Sequence, residues 1–206
     1  MITIVDYKAG NLTSVKLAFY EIGQAAEITS DPEKIAKAER LVFPGVGAAR
    51  SAMQNIEDLG LRGALSGFLN SGNPFLGICL GAQIILESSK ENDGTDCLGF
   101  LPGTTEIFQS TKDVPLKIPQ IGWNQVDFKK HHFLFNDIPS GVEFYFVHSY
   151  YPFPANNEDV FATTEYGDTR FTSVLGRDNL IACQFHPEKS GKAGLQMLKN
   201  FCGWKL

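Results

Sequence analysis

Cys79 stands in the run Gly77-Ile78-Cys79-Leu80-Gly81, with a glycine two residues away on either side. The apolar stretch "PFLGI" leads into it and the helix-patterned "LGAQIILESSK" leads out. A nucleophile elbow has this form: a strained strand-to-helix turn that lifts one side chain above a sheet edge. Its neighbours two residues off must be small, because the turn presses their backbones together. The following helix would aim its N-terminal dipole at the sulfur and favour the thiolate. The backbone N–H of Leu80 would be offered to an oxyanion. The plainer alternative is a packing residue, since free cysteine is among the most buried residue types. The flanking glycines favour the nucleophile without by themselves establishing catalysis.

A thiol nucleophile needs a base and a proton donor. The chain has four histidines: His131, His132, His148 and His186. The first two lie in "KKHHF", which reads as a solvated surface loop. His148, in "FVHSYY", alternates along an expected strand and could face a cleft. His186, in "CQFHPEKSG", follows an apolar strand and precedes the last helix. Glu188 lies two residues on, on the same face of an extended segment, where it can orient the imidazole. The intervening Pro187 restricts the backbone between them. Cys79, His186 and Glu188 therefore form the best triad available. In the loop "FPGVGAARSA", Arg50 breaks the third glycine of a dinucleotide fingerprint, so phosphate binding is disfavoured. Gly45 and Gly47 would instead let the peptide at Val46 turn its N–H toward a reaction centre; a merely flexible turn is the alternative.

The elements that must position these groups are readable in the first half. "ITIV", "AEITS", "RLVFPG" and "PFLGI" read as strands. Helices fall at "NLTSVKLAFYEIG", in a turn from Asp31-Pro32 to Lys37, at "AARSAMQNI", just before "PFLGI" and along "LGAQIILESSK". Such alternation predicts an α/β fold on an open, mostly parallel central sheet with flanking helices. After about Gly94 the segments "VPLKIPQIGWNQVDF", "VEFYFVHSYYPF", "VFATTEYG" and "TSVLGRDNLIACQFH" predict antiparallel strands that extend or flank that sheet. A last helix falls in "GKAGLQMLKNFCGW". No repeat or linker interrupts the chain, so one domain over residues 1–206 is expected.

Composition narrows the class further. With 206 residues the chain can bury a full core without staples. Hydrophobic content of 43% and charged content of 20% fit neither disorder nor a membrane protein. A formal charge of −5 argues against nonspecific nucleic-acid binding. Cys79, Cys97, Cys183 and Cys202 form no C-x-x-C pair, so neither a zinc site nor a disulfide scaffold is expected. No signal-like leader or membrane-length apolar run is visible, and free thiols suit a cytoplasmic protein.

Together "GICLGAQ", "PGVG", "HSY" and "FHPEKS" resemble the class I glutamine amidotransferases. More narrowly, "DYKAGNLTSV", "PQIGWN", "FYFVHSYY" and "QFHPEKSGKAGLQMLKNF" resemble the glutaminase subunits of imidazole glycerol phosphate synthases, essentially from end to end. The resemblance implies that Cys79 attacks the side-chain amide of glutamine. His186 would move protons, Glu188 would orient it, and water would hydrolyse the glutamyl thioester. Backbone N–H groups of Leu80 and Val46 would hold the oxyanion, the second after a peptide flip. Gly45, Gly47, Gln83, Glu91, Ser149 and Tyr150 would contact glutamine, with Glu91 taking the α-ammonium; for Glu91 a solvated helix end is the alternative. No cofactor or metal is implied.

The implied partner is a (β/α)₈-barrel cyclase subunit, in a heterodimer. It would receive ammonia through a tunnel and make imidazole glycerol phosphate and aminoimidazole carboxamide ribotide in histidine biosynthesis. Asn11, Gln120, Trp123, Tyr145 and Lys189 would face it, Trp123 as an anchor unless it packs in its own core. One departure stands out: the family's P-H-x-G-W-N reads "PQIGWN" here, with Gln120 in the histidine position. That leaves open a related amidotransferase feeding a sugar-modifying enzyme. A stand-alone cysteine hydrolase and a silent binding module are the other readings.

Overall fold

Four short apolar segments in the first half form strands β1 (Ile2–Val5), β2 (Ala26–Thr29), β3 (Arg40–Gly45) and β4 (Phe75–Cys79). The computed structural model describes residues 1–111 and 115–205. Between the strands run α1 (Leu12–Glu21), α2 (Pro32–Ala36), α3 (Ala49–Asp58) and α4 (Leu61–Asn70). Asp31 starts α2 by accepting the Glu33 N–H at 2.9 Å, with Pro32 at the first helical position. α5 (Leu80–Ile84) follows β4 directly.

α5 is shorter than the expected helix through Lys90. The carbonyls of Ile84, Ile85 and Leu86 are taken instead by the N–H groups of residues 98–101 returning from a loop. Those acceptors are no longer available to a continuing helix. The chain then forms β5 (Ser88–Ser89), β6 (Thr95–Asp96) and β7 (Gly103–Ile107). Next come β8 (Gln120–Phe128), β9 (Val142–His148), β10 (Tyr150–Pro154), β11 (Val160–Tyr166), β12 (Thr169–Arg177), β13 (Leu180–Cys183) and α6 (Gly191–Gly203). The expected strand in "VPLKIPQIGWNQVDF" thus begins at Gln120; Val114 lies outside the described residues.

Among the described residues, nine strands make one sheet in the order β2-β1-β3-β4-β13-β12-β11-β8-β9. β2 through β13 in that order pair in parallel, and the rest are antiparallel. β1, β4 and β13 are buried along their whole length, as expected where both faces carry helices. One face packs residues of α1 and α6, including Phe19 and Phe201; the other packs α2, α3 and α4, including Ile35, Ile56 and Leu65. β8 alternates exposed and inward residues instead, since part of it is wetted on one side. A smaller sheet, ordered β10-β7-β5-β6, flanks the main one. In "VEFYFVHSYYPF" the chain changes sheets at Ser149, between β9 and β10.

This topology brings the motif residues to one edge. Gly45 at the end of β3 pairs with Cys79 at the end of β4, and Ile78 pairs with Cys183 at the end of β13. Ligands of open α/β sheets bind at such carboxyl ends. Among the described residues, no helix is long and apolar enough to cross a membrane.

Candidate active site

The chain turns at Cys79 with φ +54° and ψ −108°. A non-glycine residue there stores roughly 1–3 kcal/mol of strain, which persists only where the surroundings enforce it. Gly77 shows the enforcement: a Cβ on it would lie 2.8 Å from the Ala182 Cβ and 3.3 Å from the Gly81 carbonyl. Cys79 is nearly closed off from solvent. Leu80 occupies the first turn of α5, where backbone N–H groups have no intrahelical acceptor.

His186 and Glu188 meet at the end of β13. His186 Nδ1 lies 2.7 Å from Glu188 Oε1, with both side chains at most 3% exposed. The backbone holds the ring in place: the His186 N–H donates to the Tyr145 carbonyl, and the Ser190 hydroxyl donates to the His186 carbonyl. Burial opposes a charge on His186. Its interactions with Cys79 and then Glu188 outweigh that, and its pKa is pushed up to about 10. Nε2 has no hydrogen bond of regular geometry, so it meets the sulfur as a close electrostatic partner. The balance favours the protonated ring, with Nδ1–H donated to the carboxylate.

The other thiols and histidines differ. Burial pushes Cys97 up to about 12 and Cys202 up to about 11, and Cys183 goes well above the usual thiol range. Burial pushes His148 down to about 4, so it is neutral; its Nδ1–H donates to the Tyr150 carbonyl at 2.7 Å. His132 also falls to about 4, through burial first and His131 second. It is not part of a fully solvated loop, because it packs against Phe135, Phe161 and Trp204.

A cavity of about 310 Å³ opens beside Cys79, bounded by Val46, Gly47, Leu80, Gln83, Glu91, His148, Ser149 and Tyr150. That is at the small end of ligand sites, a size suited to a single amino acid. Gly45 does not line this cavity. Its backbone lies against Tyr7, whose hydroxyl would be 1.8 Å from an added Cβ. The N–H of Val46 is not aimed at the sulfur: it donates to the Ala9 carbonyl at 3.0 Å. Its expected place in an oxyanion hole therefore requires the Gly45–Val46 peptide to turn over. Gly47, at φ +99°, is the adjacent joint. Glu91 faces the cavity but is not a free helix-end carboxylate: its Oε2 accepts the Ala49 N–H at 2.6 Å, at the start of α3. Gln83 commits its amide nitrogen inward, to the Tyr150 carbonyl at 2.8 Å and to Gln184 Oε1 at 2.9 Å.

Of the expected partner-facing residues, Trp123 is 53% exposed and stands edge-on to Tyr145, with ring centroids 6.1 Å apart. The Lys189 ammonium lies 5.9 Å above the Tyr145 ring. Asn11 precedes α1 and is exposed. Gln120 departs from the expectation. It is 3% exposed, because it pairs with His148 at the inner end of β8, and so offers almost no surface to a partner.

Gln184 is the residue the motif reading missed. It is fully buried, and its Nε2 donates to the Cys79 sulfur at 3.6 Å. The available signal was a polar side chain inside the apolar run "LIACQF".

A family model described as glutamine amidotransferase class-I matches residues 3–203. The chain is 46% identical over 205 residues to a protein of Maridesulfovibrio salexigens named imidazole glycerol phosphate synthase subunit HisH, covering 98% of this chain and 95% of that one. A protein of the same name from Nitrosococcus oceani is also 46% identical over 205 residues, covering 98% and 97%. The solved structure of PurLQS from Thermotoga maritima matches with a TM-score of 0.73 at 13% identity, covering 98% of this chain and 97% of that one. Identity that low speaks for the fold alone.

Proposed function

Because this chain belongs to the class I glutamine amidotransferase family, we propose that it is the glutaminase subunit of an imidazole glycerol phosphate synthase, acting in histidine biosynthesis. The observation that carries the chemistry is the meeting of Cys79, His186 and Glu188 beside an amino-acid-sized cavity.

The Cys79 thiolate attacks the side-chain carbonyl carbon of glutamine, forming a C–S bond and an oxyanion. The Leu80 N–H, and the Val46 N–H once its peptide has turned, stabilise that charge; each such donor is worth about 10²- to 10³-fold in rate. His186 gives its Nε2 proton to the departing nitrogen, the C–N bond breaks, and ammonia leaves. The neutral imidazole then takes a proton from water. The resulting hydroxide adds to the thioester, the C–S bond breaks, and glutamate and the thiolate are released. Glu188 holds the ring throughout. Glu91, Gln83, Gly47 and the Ser149–Tyr150 segment grip the amino-acid end of glutamine.

Ammonia released into water would become ammonium, a poor nucleophile. The chain therefore works as one domain, residues 1–206, docked on a (β/α)₈-barrel cyclase that consumes ammonia. Trp123, Tyr145, Lys189 and Asn11 form the candidate contact, and the Tyr145 carbonyl accepts the His186 N–H at 2.9 Å. Four free cysteines suit the reducing cytoplasm. The test combines the purified chain with the barrel cyclase, glutamine and the phosphoribulosyl-formimino nucleotide. Glutamate and imidazole product should rise together in equal amounts; glutamine left intact in the full mixture would refute the proposal.

A further inference from the structure

Gln184 links the nucleophile to the wall of the cavity. Its Nε2 donates to Cys79 Sγ at 3.6 Å while its Oε1 accepts from Gln83 Nε2 at 2.9 Å. Gln83 sends its other amide hydrogen to the Tyr150 carbonyl, which also takes the His148 Nδ1–H. The network dictates the orientation of both amides. Turning Gln184 over would set its NH₂ against that of Gln83, and turning Gln83 over would set two oxygens together. The Gln184 backbone is fixed as well, its N–H donating to the Ser173 carbonyl at 2.9 Å. A primary amide suits this place because it donates and accepts without charge. A carboxylate would repel a thiolate, and an apolar side chain would leave a buried Gln83 hydrogen unpaired.

We propose that Gln184 is a positioning residue for Cys79: it stabilises the thiolate by hydrogen bonding and ties the sulfur to the Gln83–Tyr150 wall. The inference deepens the glutaminase reading and rests on it. Attack then starts from a sulfur held at a set distance from the wall that grips the substrate, so the sulfur is poised before glutamine arrives.

The test uses Gln184→Met and Gln184→Glu in the full chain, with the cyclase present. Two quantities are read: the pH dependence of Cys79 alkylation by iodoacetamide, located by peptide mass, and the steady-state constants for glutamine. A hydrogen bond to a charged group is worth about 10- to 100-fold. Gln184→Met should lower kcat by about that factor with a smaller change in KM, and should move the alkylation midpoint to higher pH. Gln184→Glu should move it further. A purely structural role would lower the melting temperature and leave the midpoint in place. Unmoved midpoints in both variants overturn the proposal. If neither variant folds, Gln83→Met, which frees Gln184 Oε1, should give a smaller shift in the same direction, and an unmoved midpoint there is equally fatal. Wild-type chain that alkylates normally yet releases no ammonia with its cyclase would sink the glutaminase reading instead.

Discussion

A Cβ placed on Gly81 would lie 1.9 Å from the carbonyl oxygen of Phe43. The first turn of α5 is thus pressed against the backbone of β3, and this contact sets the elbow at Cys79. Phe43 sits in a buried strand paired on both sides and cannot retreat. Gly81→Ala must therefore push α5 outward, carrying Leu80 and Cys79 with it. Overpacking of this kind costs roughly 1–3 kcal/mol. Denaturant unfolding should show that loss, and glutaminase activity should fall further than the unfolded fraction explains.

Glu188→Gln keeps the size of the side chain and removes its charge. The imidazolium loses one of the two groups that sustain it, so its pKa should drop below about 10. Proton transfer by a positioned base contributes about 10²- to 10⁴-fold, and kcat should fall by a factor in that range. An NMR titration of the His186 ring, paired with steady-state kinetics, checks both effects.

Stability should depend on pH in two windows. His186 binds its proton more tightly in the folded chain, at about 10 against a reference of 6.5. That stabilisation is fully present below pH 6.5 and is lost as pH rises through 10. His148 and His132 are held neutral, at about 4. Their contribution is full above pH 6.5 and is lost as pH falls toward 4. Urea midpoints measured across pH should decline on both sides, and the alkaline decline should be shallower in Glu188→Gln.

Much of this was legible in the residues, and the misses have physical causes. The parallel half was readable because strands covered on both faces are written as unbroken apolar runs, such as "RLVFPG". The elbow was readable because its glycines answer a local steric demand. The local pattern runs α5 too far because what stops it, the capping of Ile84 to Leu86 by residues 98–101, comes from outside its own segment. The small sheet joins strands as short as two residues, too short for any periodicity to show. Motif position alone puts Gln120 on a partner surface, whereas its place opposite His148 leaves it buried.

Trp123→Ala should separate docking from folding. The indole is half exposed and leans on Tyr145, so its removal should change stability by no more than about 0.5 kcal/mol. Loss of an aromatic anchor typically costs about 2 kcal/mol or more of binding. Titration calorimetry with the barrel cyclase should show that weakening, with the unfolding midpoint almost unchanged.

The central claim is that Cys79 forms the covalent intermediate. The most direct measurement is peptide mass spectrometry of the chain, acid-quenched while it turns over glutamine with its cyclase and nucleotide substrate. A glutamyl group on Cys79, absent from Cys79→Ala, is the predicted result. Sustained ammonia release by Cys79→Ala, or a glutamyl group on another residue, would contradict it.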